Sequence, residues 1–248
     1  MPAVPDGSLI LVTGVNGYLG SHIAKQLLDH GFRVRGTVRE ALKADYMHAL
    51  FDEKYGSDVF TTCIVEDMAT TGAFDDVTKA KETSVKRFVM TSSCVTATST
   101  FDNGLLIDTA SWNDPKDDIV WAPAPYHSDR EAAVYIASKI ASEKSCWRFM
   151  EEQKPSFIFN AVLPGLVLGR IMDERQPASS AGLFKKIWEK DEELTTMVRT
   201  FPMQFFVDVT DLAVLHVAAL REEDVDIAIR TPSRWQQRVI VQEKKKQN

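Results

Sequence analysis

Short apolar runs alternate along the chain with longer stretches in which apolar side chains recur at helical spacing. The short runs are rich in β-branched residues and predict strands at residues 9–13, 33–38, 59–65, 85–90 and 157–163. The longer stretches predict helices at residues 18–29, 41–55, 74–81, 129–152 and 209–220. Residues 101–127 are rich in proline, aspartate and asparagine, which predicts a surface loop.

This alternation of strands and helices predicts an α/β fold with a doubly wound, mostly parallel sheet of the Rossmann type. The first run is apolar throughout, so we expect its strand to be buried on both faces. In such a sheet, ligands bind at the carboxyl ends of the strands. The positions that suggest chemistry fall at those ends: residues 14–20, Arg39, Asp67, Ser93 and Pro164.

A glycine-rich turn joins the first predicted strand to the first predicted helix. Gly14 permits a sharp turn, Gly17 lets a pyrophosphate approach the backbone, and Gly20 lets the helix pack closely on the strand. Such turns also occur for steric reasons alone, but their place between a strand and a helix favours a dinucleotide site, with the phosphates at the helix N-terminus. We expect this turn to bind the cofactor through Gly14, Asn16, Gly17, Tyr18, Leu19 and Gly20.

Arg39 follows the second predicted strand, where a protein that prefers NAD has an acidic residue for the ribose. A guanidinium suits a 2′-phosphate instead, because it donates charge-assisted and often bidentate hydrogen bonds. Lys43 is a second candidate one helical turn later, and Glu40 between them reduces the positive charge. A solvated surface arginine is the alternative interpretation, and we predict NADP(H).

Tyr135 and Lys139 are four residues apart on the long predicted helix, so both side chains lie on one face. A phenol is a weak acid at neutral pH, and a nearby ammonium favours its deprotonated form, which suits proton transfer to a carbonyl oxygen. Such pairs are common on helix surfaces. Ser93 favours a catalytic interpretation of this pair, because it ends a strand where its hydroxyl can bind the same carbonyl, whereas Ser92 points to the opposite side. The alternative is that these serines only cap the loop.

Composition excludes several other functions. The chain has 248 residues and a net charge of −6, which disfavours a nucleic-acid or anionic-membrane surface. Three scattered cysteines, with no metal-ligand spacing, predict neither a disulfide framework nor a metal site. The sequence shows neither a signal peptide nor an apolar stretch of the roughly 20 residues that span a bilayer. We expect a cytoplasmic protein, either a monomer or a homodimer.

The motifs resemble those of the extended short-chain dehydrogenases/reductases. The similarity lies in the glycines at 14, 17 and 20, in Thr91-Ser92-Ser93 and in the tyrosine–lysine pair at 135 and 139. Smaller motifs resemble the dihydroflavonol-reductase and cinnamoyl-CoA-reductase branch, especially its fungal aldehyde and ketone reductases, over about residues 10–220. These motifs are the segments at 34–39, 66–68, 163–169 and 206–209.

The resemblance implies that Ser93, Tyr135 and Lys139 form the catalytic set, with Tyr135 also contacting the cofactor and Lys139 also bonding the nicotinamide ribose. It implies adenine contacts at Asp67 and Met68. It implies nicotinamide contacts at Pro164, Gly165, Leu166 and Val167. His127, ahead of the catalytic helix, either lines the substrate pocket or faces solvent.

The chain departs from this family near residues 77–85. The family has a fourth strand and a long helix there, whereas this chain has only six residues between Val77 and Ser84. A missing central strand leaves buried backbone groups unpaired, at about 1–3 kcal/mol each. We expect a Rossmann domain over residues 1–163 and a shortened substrate lobe over 164–248, in which residues 206–220 pack back on the first domain.

These features predict an NADP(H)-dependent reductase that transfers hydride to an aldehyde or ketone of a small or aromatic metabolite, such as a polyketide-type intermediate of secondary metabolism. The missing segment leaves a second hypothesis, a catalytically inactive NADP-binding protein. A third is an NAD(P)-dependent epimerase or dehydratase of the same superfamily.

Overall fold

The structure is a computed structural model of the 248-residue chain. It describes residues 4–75, 85–98, 106–113, 117–125, 130–176, 179–192, 206–221 and 237–240. His127, most of the predicted helix at 74–81 and part of the predicted loop at 101–127 lie outside the described residues.

The described elements follow one another as strands and helices. The first half contains β1 (Leu9–Val12), α1 (Tyr18–Asp29), β2 (Arg33–Val38), α2 (Leu42–Tyr55), β3 (Phe60–Ile64), β4 (Arg87–Thr91), a 3₁₀ turn at Cys94–Thr96 and α3 (Asp117–Val120). The second half contains α4 (Arg130–Gln153), β5 (Ile158–Leu163), β6 (Leu166–Leu168), α5 (Ser179–Trp188), β7 (Phe206–Asp208), α6 (Val209–Arg221) and β8 (Gln237–Ile240). The five predicted strands and four of the five predicted helices are confirmed, with ends that differ by at most two residues.

The chain forms two compact units that interleave along the sequence. Unit 1 comprises Met1–Val85, Val167–Met197 and Asp208–Glu223, and unit 2 comprises Lys86–Leu166, Val198–Val207 and Asp224–Asn248. Each unit has a parallel three-stranded sheet, in the order β1-β2-β3 in unit 1 and β4-β5-β8 in unit 2. Parallel strands joined through helices confirm the predicted α/β class. The boundary that the sequence suggests near residue 163 stays a prediction.

The helices α1 and α2 of unit 1 pack on one face of its sheet. Val34 and Phe60 are register partners and therefore share that face, where both are fully buried. Phe51 of α2 packs on Phe60 edge to face, with ring centroids 4.9 Å apart. The α6 helix packs against α1 and buries Leu212 and Ala213 completely.

The other face of this sheet is less covered than the sequence predicts. Leu9 and Leu11 of β1 are 47% and 37% exposed, whereas Val12 is buried. The expectation that β1 is buried on both faces is therefore wrong. An apolar run is buried on both faces only where helices cover both, and here the helix-covered face is the one that contains Val12. Within the described residues, β1 pairs with β2 alone.

Unit 2 is organised around β5 and the long helix α4. Its core contains Phe159, Ala161 and Leu163 of β5 together with Met150 of α4. Trp147 of α4 packs edge to face on Phe159, with ring centroids 4.6 Å apart. The helix also contacts the 3₁₀ turn that follows β4, which brings α4 to the carboxyl end of that strand.

Candidate active site

The glycine turn of unit 1 has the shape that a dinucleotide phosphate requires. Gly14 adopts a φ of +62°, which side-chain-bearing residues rarely adopt. A Cβ atom on Gly20 would lie 2.4 Å from the main-chain oxygen of Gly14, so only glycine allows α1 to approach the turn this closely. Gly17 occupies the N-cap position of α1, where no side chain caps the helix by a hydrogen bond, and the first turn has no acidic residue. This helix N-terminus is therefore suited to an anion.

Two side chains that the sequence did not single out hold this turn in place. Thr37 of β2 accepts a hydrogen bond from the backbone N–H of Gly14 at its hydroxyl (3.0 Å) and one from that of Val15 at its carbonyl (3.1 Å). Tyr46 of α2 donates its hydroxyl proton to the main-chain oxygen of Asn16 (2.6 Å). The tyrosine is distant in sequence and gives no local signal of this role.

Tyr18 and Leu19, two predicted cofactor residues of the turn, differ in how deeply their side chains are buried. The Tyr18 side chain is buried, and burial, followed by the charge of Asp208, raises its pKa to about 12. Its phenol therefore stays protonated at neutral pH. Leu19 is half-buried. Because the Tyr18 ring lies inside unit 1, we expect this residue to meet a phosphate through its backbone N–H.

Of the two basic candidates for the 2′-phosphate, Lys43 forms an ion pair with another residue and Arg39 does not, within the described part of the chain. Arg39 follows the last residue of β2 and is exposed, with no partner for its guanidinium among the described residues. The Lys43 ammonium lies 2.9 Å from the Glu40 carboxylate. The charge of Lys43 is therefore partly compensated, which leaves Arg39 as the stronger candidate for a 2′-phosphate.

Asp67 and Met68 follow β3 at the same end of the sheet. The Asp67 carboxylate accepts the backbone N–H of Ala69 (2.9 Å), which fixes a tight turn. Met68 is half-exposed. An exposed methionine next to a fixed turn is suited to an apolar ring such as adenine, and the predicted contact stays a prediction.

Unit 2 brings two of the three predicted catalytic residues to the end of β4. Ser93 is buried and follows that strand, and Lys139 of α4 donates a hydrogen bond from Nζ to the main-chain oxygen of Thr91 (3.4 Å). Burial lowers the pKa of the Lys139 ammonium. Tyr135 lies one turn earlier on α4 and is half-exposed, so its phenol is accessible to a ligand. The catalytic roles of all three stay predictions.

The segment predicted to contact nicotinamide is tied to the residue after Ser93. Cys94 donates its backbone N–H to the main-chain oxygen of Pro164 (2.9 Å). The following residues, Gly165 and Leu166, are half-buried in unit 2. Val167 begins the next segment of unit 1, where its carbonyl accepts the hydroxyl of Ser180.

Sequence reasoning also missed Glu143, which is fully buried on α4 and accepts a hydrogen bond from Ser92. Its spacing of four residues from Lys139 was a usable signal, since it puts both on one helix face.

In the described part of the chain, the histidine, cysteine and acidic side chains form no cluster of three that could hold a metal ion. Among the helices in this part of the chain, none has the length and apolarity to span a membrane.

Parallel strands, a glycine turn and an uncapped helix N-terminus define a dinucleotide-binding α/β protein. The sequence matches the NAD dependent epimerase/dehydratase family over residues 10–229. The chain therefore belongs to this family. The resemblance to fungal aldehyde and ketone reductases is confirmed by the relatives below.

Two curated fungal proteins are similar to this chain over most of its length. The NAD-dependent epimerase/dehydratase terH of Aspergillus terreus is 36% identical over 259 residues, covering 90% of this chain and 76% of the relative. Aldehyde reductase 2 of Sporidiobolus salmonicolor is 35% identical over 256 residues, covering 88% of this chain and 74% of the relative. Among solved structures, the yeast methylglyoxal/isovaleraldehyde reductase Gre2 complexed with NADPH has the same fold, with a TM-score of 0.70 and 23% identity. The match covers 95% of this chain and 78% of the Gre2 chain.

The Aspergillus protein is longer than this chain within the region that the two share. The 259 aligned residues exceed nine-tenths of this 248-residue chain by about 36, so the relative has a total of about 36 residues in that region without a counterpart in this chain. A strand with its crossover helix is of similar length, since a whole βαβ unit takes about 30 residues or more.

Proposed function

We propose that this chain is an NADP(H)-dependent reductase that transfers hydride to an aldehyde or ketone of a small or aromatic metabolite. The observation that supports this most is the placement of Lys139 at the end of β4 next to the segment that contains Ser93, with Tyr135 one helical turn away. The names of the relatives, an aldehyde reductase among them, agree with carbonyl chemistry.

The glycine turn, Arg39, Asp67 and Met68 are the residues of unit 1 that would hold the cofactor. The fit rests on the turn itself, because the uncapped N-terminus of α1 suits the pyrophosphate and Arg39 suits the 2′-phosphate. When bound, NADPH supplies the hydride that reduces the carbonyl carbon.

The residues of unit 2 would manage the proton and the carbonyl oxygen. Ser93 donates a hydrogen bond to that oxygen and orients it. Tyr135 donates the proton that converts the oxygen to a hydroxyl, and the adjacent Lys139 ammonium stabilises the phenolate that remains. One hydride and one proton together reduce the carbonyl to an alcohol. Lys139 would also bond the nicotinamide ribose, with Pro164, Gly165, Leu166 and Val167 near the nicotinamide.

We also propose a partner and a metabolic setting for the reaction. The partner is a small-molecule carbonyl substrate, and the protein would act as a reductase of secondary metabolism. We place the protein in the cytoplasm as a monomer or a homodimer, since its composition favours neither a membrane nor a nucleic acid as partner.

A second candidate function is an NADP-binding protein without turnover. The observation that favours it is the exposure of Leu9 and Leu11, because β1 leads into the glycine turn and is covered less than a central strand of a parallel sheet. This candidate predicts NADPH binding without oxidation of NADPH by any carbonyl.

The test measures NADPH binding by fluorescence and NADPH oxidation with a panel of aldehydes and ketones. We expect binding and turnover in the wild type, and binding without turnover in Tyr135→Phe. Tyr55→Phe is the matched control, because Tyr55 lies on α2 and bonds Asp29 instead of the predicted site. Undiminished turnover in Tyr135→Phe would overturn the assignment. Substrate conversion without net NADPH oxidation would point to an epimerase or dehydratase.

A further inference from the structure

Glu143 is a carboxyl side chain buried completely within unit 2, on α4. It lies one turn after Lys139 and two turns after Tyr135. Residues four apart share a helix face, so these three side chains form one row along α4. Burial increases along this row, from the half-exposed Tyr135 through the partly buried Lys139 to the fully buried Glu143.

Side chains of the described residues surround the Glu143 carboxyl group. Ser92 Oγ (2.5 Å) donates to Oε2, and Trp147 Nε1 (3.2 Å) donates to Oε1. Thr96 Oγ1 lies 2.8 Å from Oε2 and 2.9 Å from the main-chain oxygen of Ser93, so its one proton is shared between these two acceptors. A carboxyl group removed from water is costly unless such hydrogen bonds compensate it. The two hydroxyls come from the end of β4 and from the 3₁₀ turn, so both segments are fixed relative to α4.

Ser93 lies between the two hydroxyl residues. Its backbone is extended, with φ −156° and ψ 150°, so its side chain and that of Ser92 point to opposite sides. Ser92 is anchored to Glu143 on one side of the chain, and this directs the Ser93 hydroxyl to the other. Thr96 fixes the opposite end, because its backbone N–H donates to the main-chain oxygen of Ser93 (3.0 Å).

We propose that Glu143 is a positioning residue for the reduction. It holds the residues on both sides of Ser93 and thereby sets the direction in which the Ser93 hydroxyl meets the carbonyl oxygen of the substrate. This inference rests on the proposed reductase function and adds to it a residue that contacts neither substrate nor cofactor.

Glu143→Gln is the sharpest variant, because it keeps the size of the side chain, changes its hydrogen bonding and removes its ability to ionise. The two carboxyl oxygens accept bonds from donors on both sides, whereas an amide has one oxygen and one NH₂ group. If the amide oxygen faces Ser92 and Thr96, its NH₂ meets the N–H of Trp147. In the reverse orientation the NH₂ meets the two hydroxyls, which then have to turn away. Either arrangement disturbs the network beside Ser93.

The experiment compares wild type, Glu143→Gln, Ser92→Ala and the double variant, using a carbonyl that the wild type reduces. We expect Glu143→Gln to lower kcat about tenfold or more, because a misplacement of about 1 Å can cost about a hundredfold in rate. The KM for NADPH should stay within about twofold, since the glycine turn is untouched. The double variant should be no slower than Glu143→Gln alone, because both changes break one shared bond.

Glu151→Gln is the matched control, because Glu151 is exposed on the same helix. Amide hydrogen exchange over residues 91–97 gives a second readout, which does not require turnover. We expect faster exchange there in Glu143→Gln than in Glu151→Gln. If Glu143→Gln does not fold, Ser92→Ala and Thr96→Val replace it, with the same loss of kcat and faster exchange expected.

Two results would overturn the inference. The first is an unchanged kcat in a folded Glu143→Gln. The second is additive losses, in which the double variant loses about twice as much on a logarithmic kcat scale as Glu143→Gln alone. If the wild type binds NADPH and reduces no carbonyl, the proposed function fails instead. In that case the amide-exchange comparison alone tests whether Glu143 positions Ser93. Equal exchange over residues 91–97 in Glu143→Gln and Glu151→Gln overturns that role.

Discussion

The hydroxyl of Tyr46 donates a 2.6 Å hydrogen bond to the main-chain oxygen of Asn16, in the middle of the glycine turn. Tyr46 is buried, so no water replaces this bond when the hydroxyl is removed. A lost bond of this kind costs about 1 kcal/mol, which corresponds to about a fivefold change in an equilibrium constant. We expect Tyr46→Phe to weaken NADPH binding about fivefold, measured by fluorescence titration.

Tyr55→Phe controls for the loss of a tyrosine hydroxyl on the same helix. The Tyr55 hydroxyl donates to the Asp29 carboxylate (2.6 Å), away from the turn. This variant should leave the NADPH Kd unchanged. Equal Kd values for Tyr46→Phe and the wild type would show that the bond does not shape the phosphate site.

Arg39 should determine the preference for NADPH over NADH. Charge-assisted hydrogen bonds contribute about 1.5–3 kcal/mol, so we expect Arg39→Ala to raise the NADPH Kd at least about tenfold. The NADH Kd should not change, because NADH lacks the 2′-phosphate. Lys43→Ala should have a smaller effect, since the Lys43 ammonium is already paired with Glu40. Titrations with both cofactors check this.

Arg33→Ala is the matched control for charge. Arg33 lies at the opposite end of β2, where its Nε donates to the main-chain oxygen of Gly7 (3.2 Å). Its removal changes the net charge equally and should leave the ratio of the two Kd values unchanged. A similar loss of NADPH affinity in Arg33→Ala would indicate a general charge effect and contradict a specific 2′-phosphate contact.

His216 should make the protein less stable in acid. Burial on α6 lowers its pKa, although the bond between its Nδ1 and the main-chain oxygen of Leu212 opposes this shift. Above the unfolded-state pKa of about 6.5, both states are neutral and the stability is complete. As the pH falls below that value, only the unfolded state gains the proton. The free energy of unfolding then falls, by at most about 1.4 kcal/mol per pH unit for this group.

Urea unfolding at pH 7 and pH 5 measures this loss. His22, also buried with a pKa lowered mainly by burial, should add to it. His216→Gln keeps an N–H donor and cannot be protonated, so it should lose less stability between the two pH values than the wild type. His30→Gln, at an exposed site, should behave like the wild type. An equal loss in His216→Gln would exclude His216 as the cause.

The sequence predicted most of what depends on local pattern. Strands such as β2 and helices such as α1 were found at their observed bounds, because apolar periodicity and glycine stops mark them directly. The glycine turn was identified for the same reason. The strand β6 was missed, since three residues give no periodicity. The helix α5 was also missed, although its ten residues do carry a helical apolar pattern.

Contacts between elements could not be predicted in the same way. Nothing local to Tyr46 indicates that its hydroxyl reaches Asn16, 30 residues earlier in the chain. The spacing of Glu143 from Lys139 indicates a shared helix face, but its complete burial and its bond to Ser92 come from tertiary packing, which the spacing does not reveal. The burial of β1 was predicted wrongly because an apolar run does not reveal whether helices cover both faces of the sheet.

The exposed face of β1 should bind a hydrophobic dye such as ANS in the native protein, because the side chains of Leu9 and Leu11 are exposed together there. The sequence predicts a missing strand and helix near residues 77–85, and the Aspergillus relative has about 36 residues that this chain lacks. Inserting a strand and a crossover helix of this length at this place should raise the Tm and reduce dye binding.

An insert of equal length made of glycine and serine separates restored packing from added length. Burying the two leucines contributes about 25 cal/mol per Å² of apolar surface, and pairing the edge of β1 adds hydrogen bonds. The glycine–serine insert supplies neither, and it adds loop-closure entropy that opposes folding. It should therefore leave dye binding unchanged and lower the Tm. If both inserts lower the Tm alike, β1 does not accept a further strand, and the exposed leucines belong to the native state of this chain.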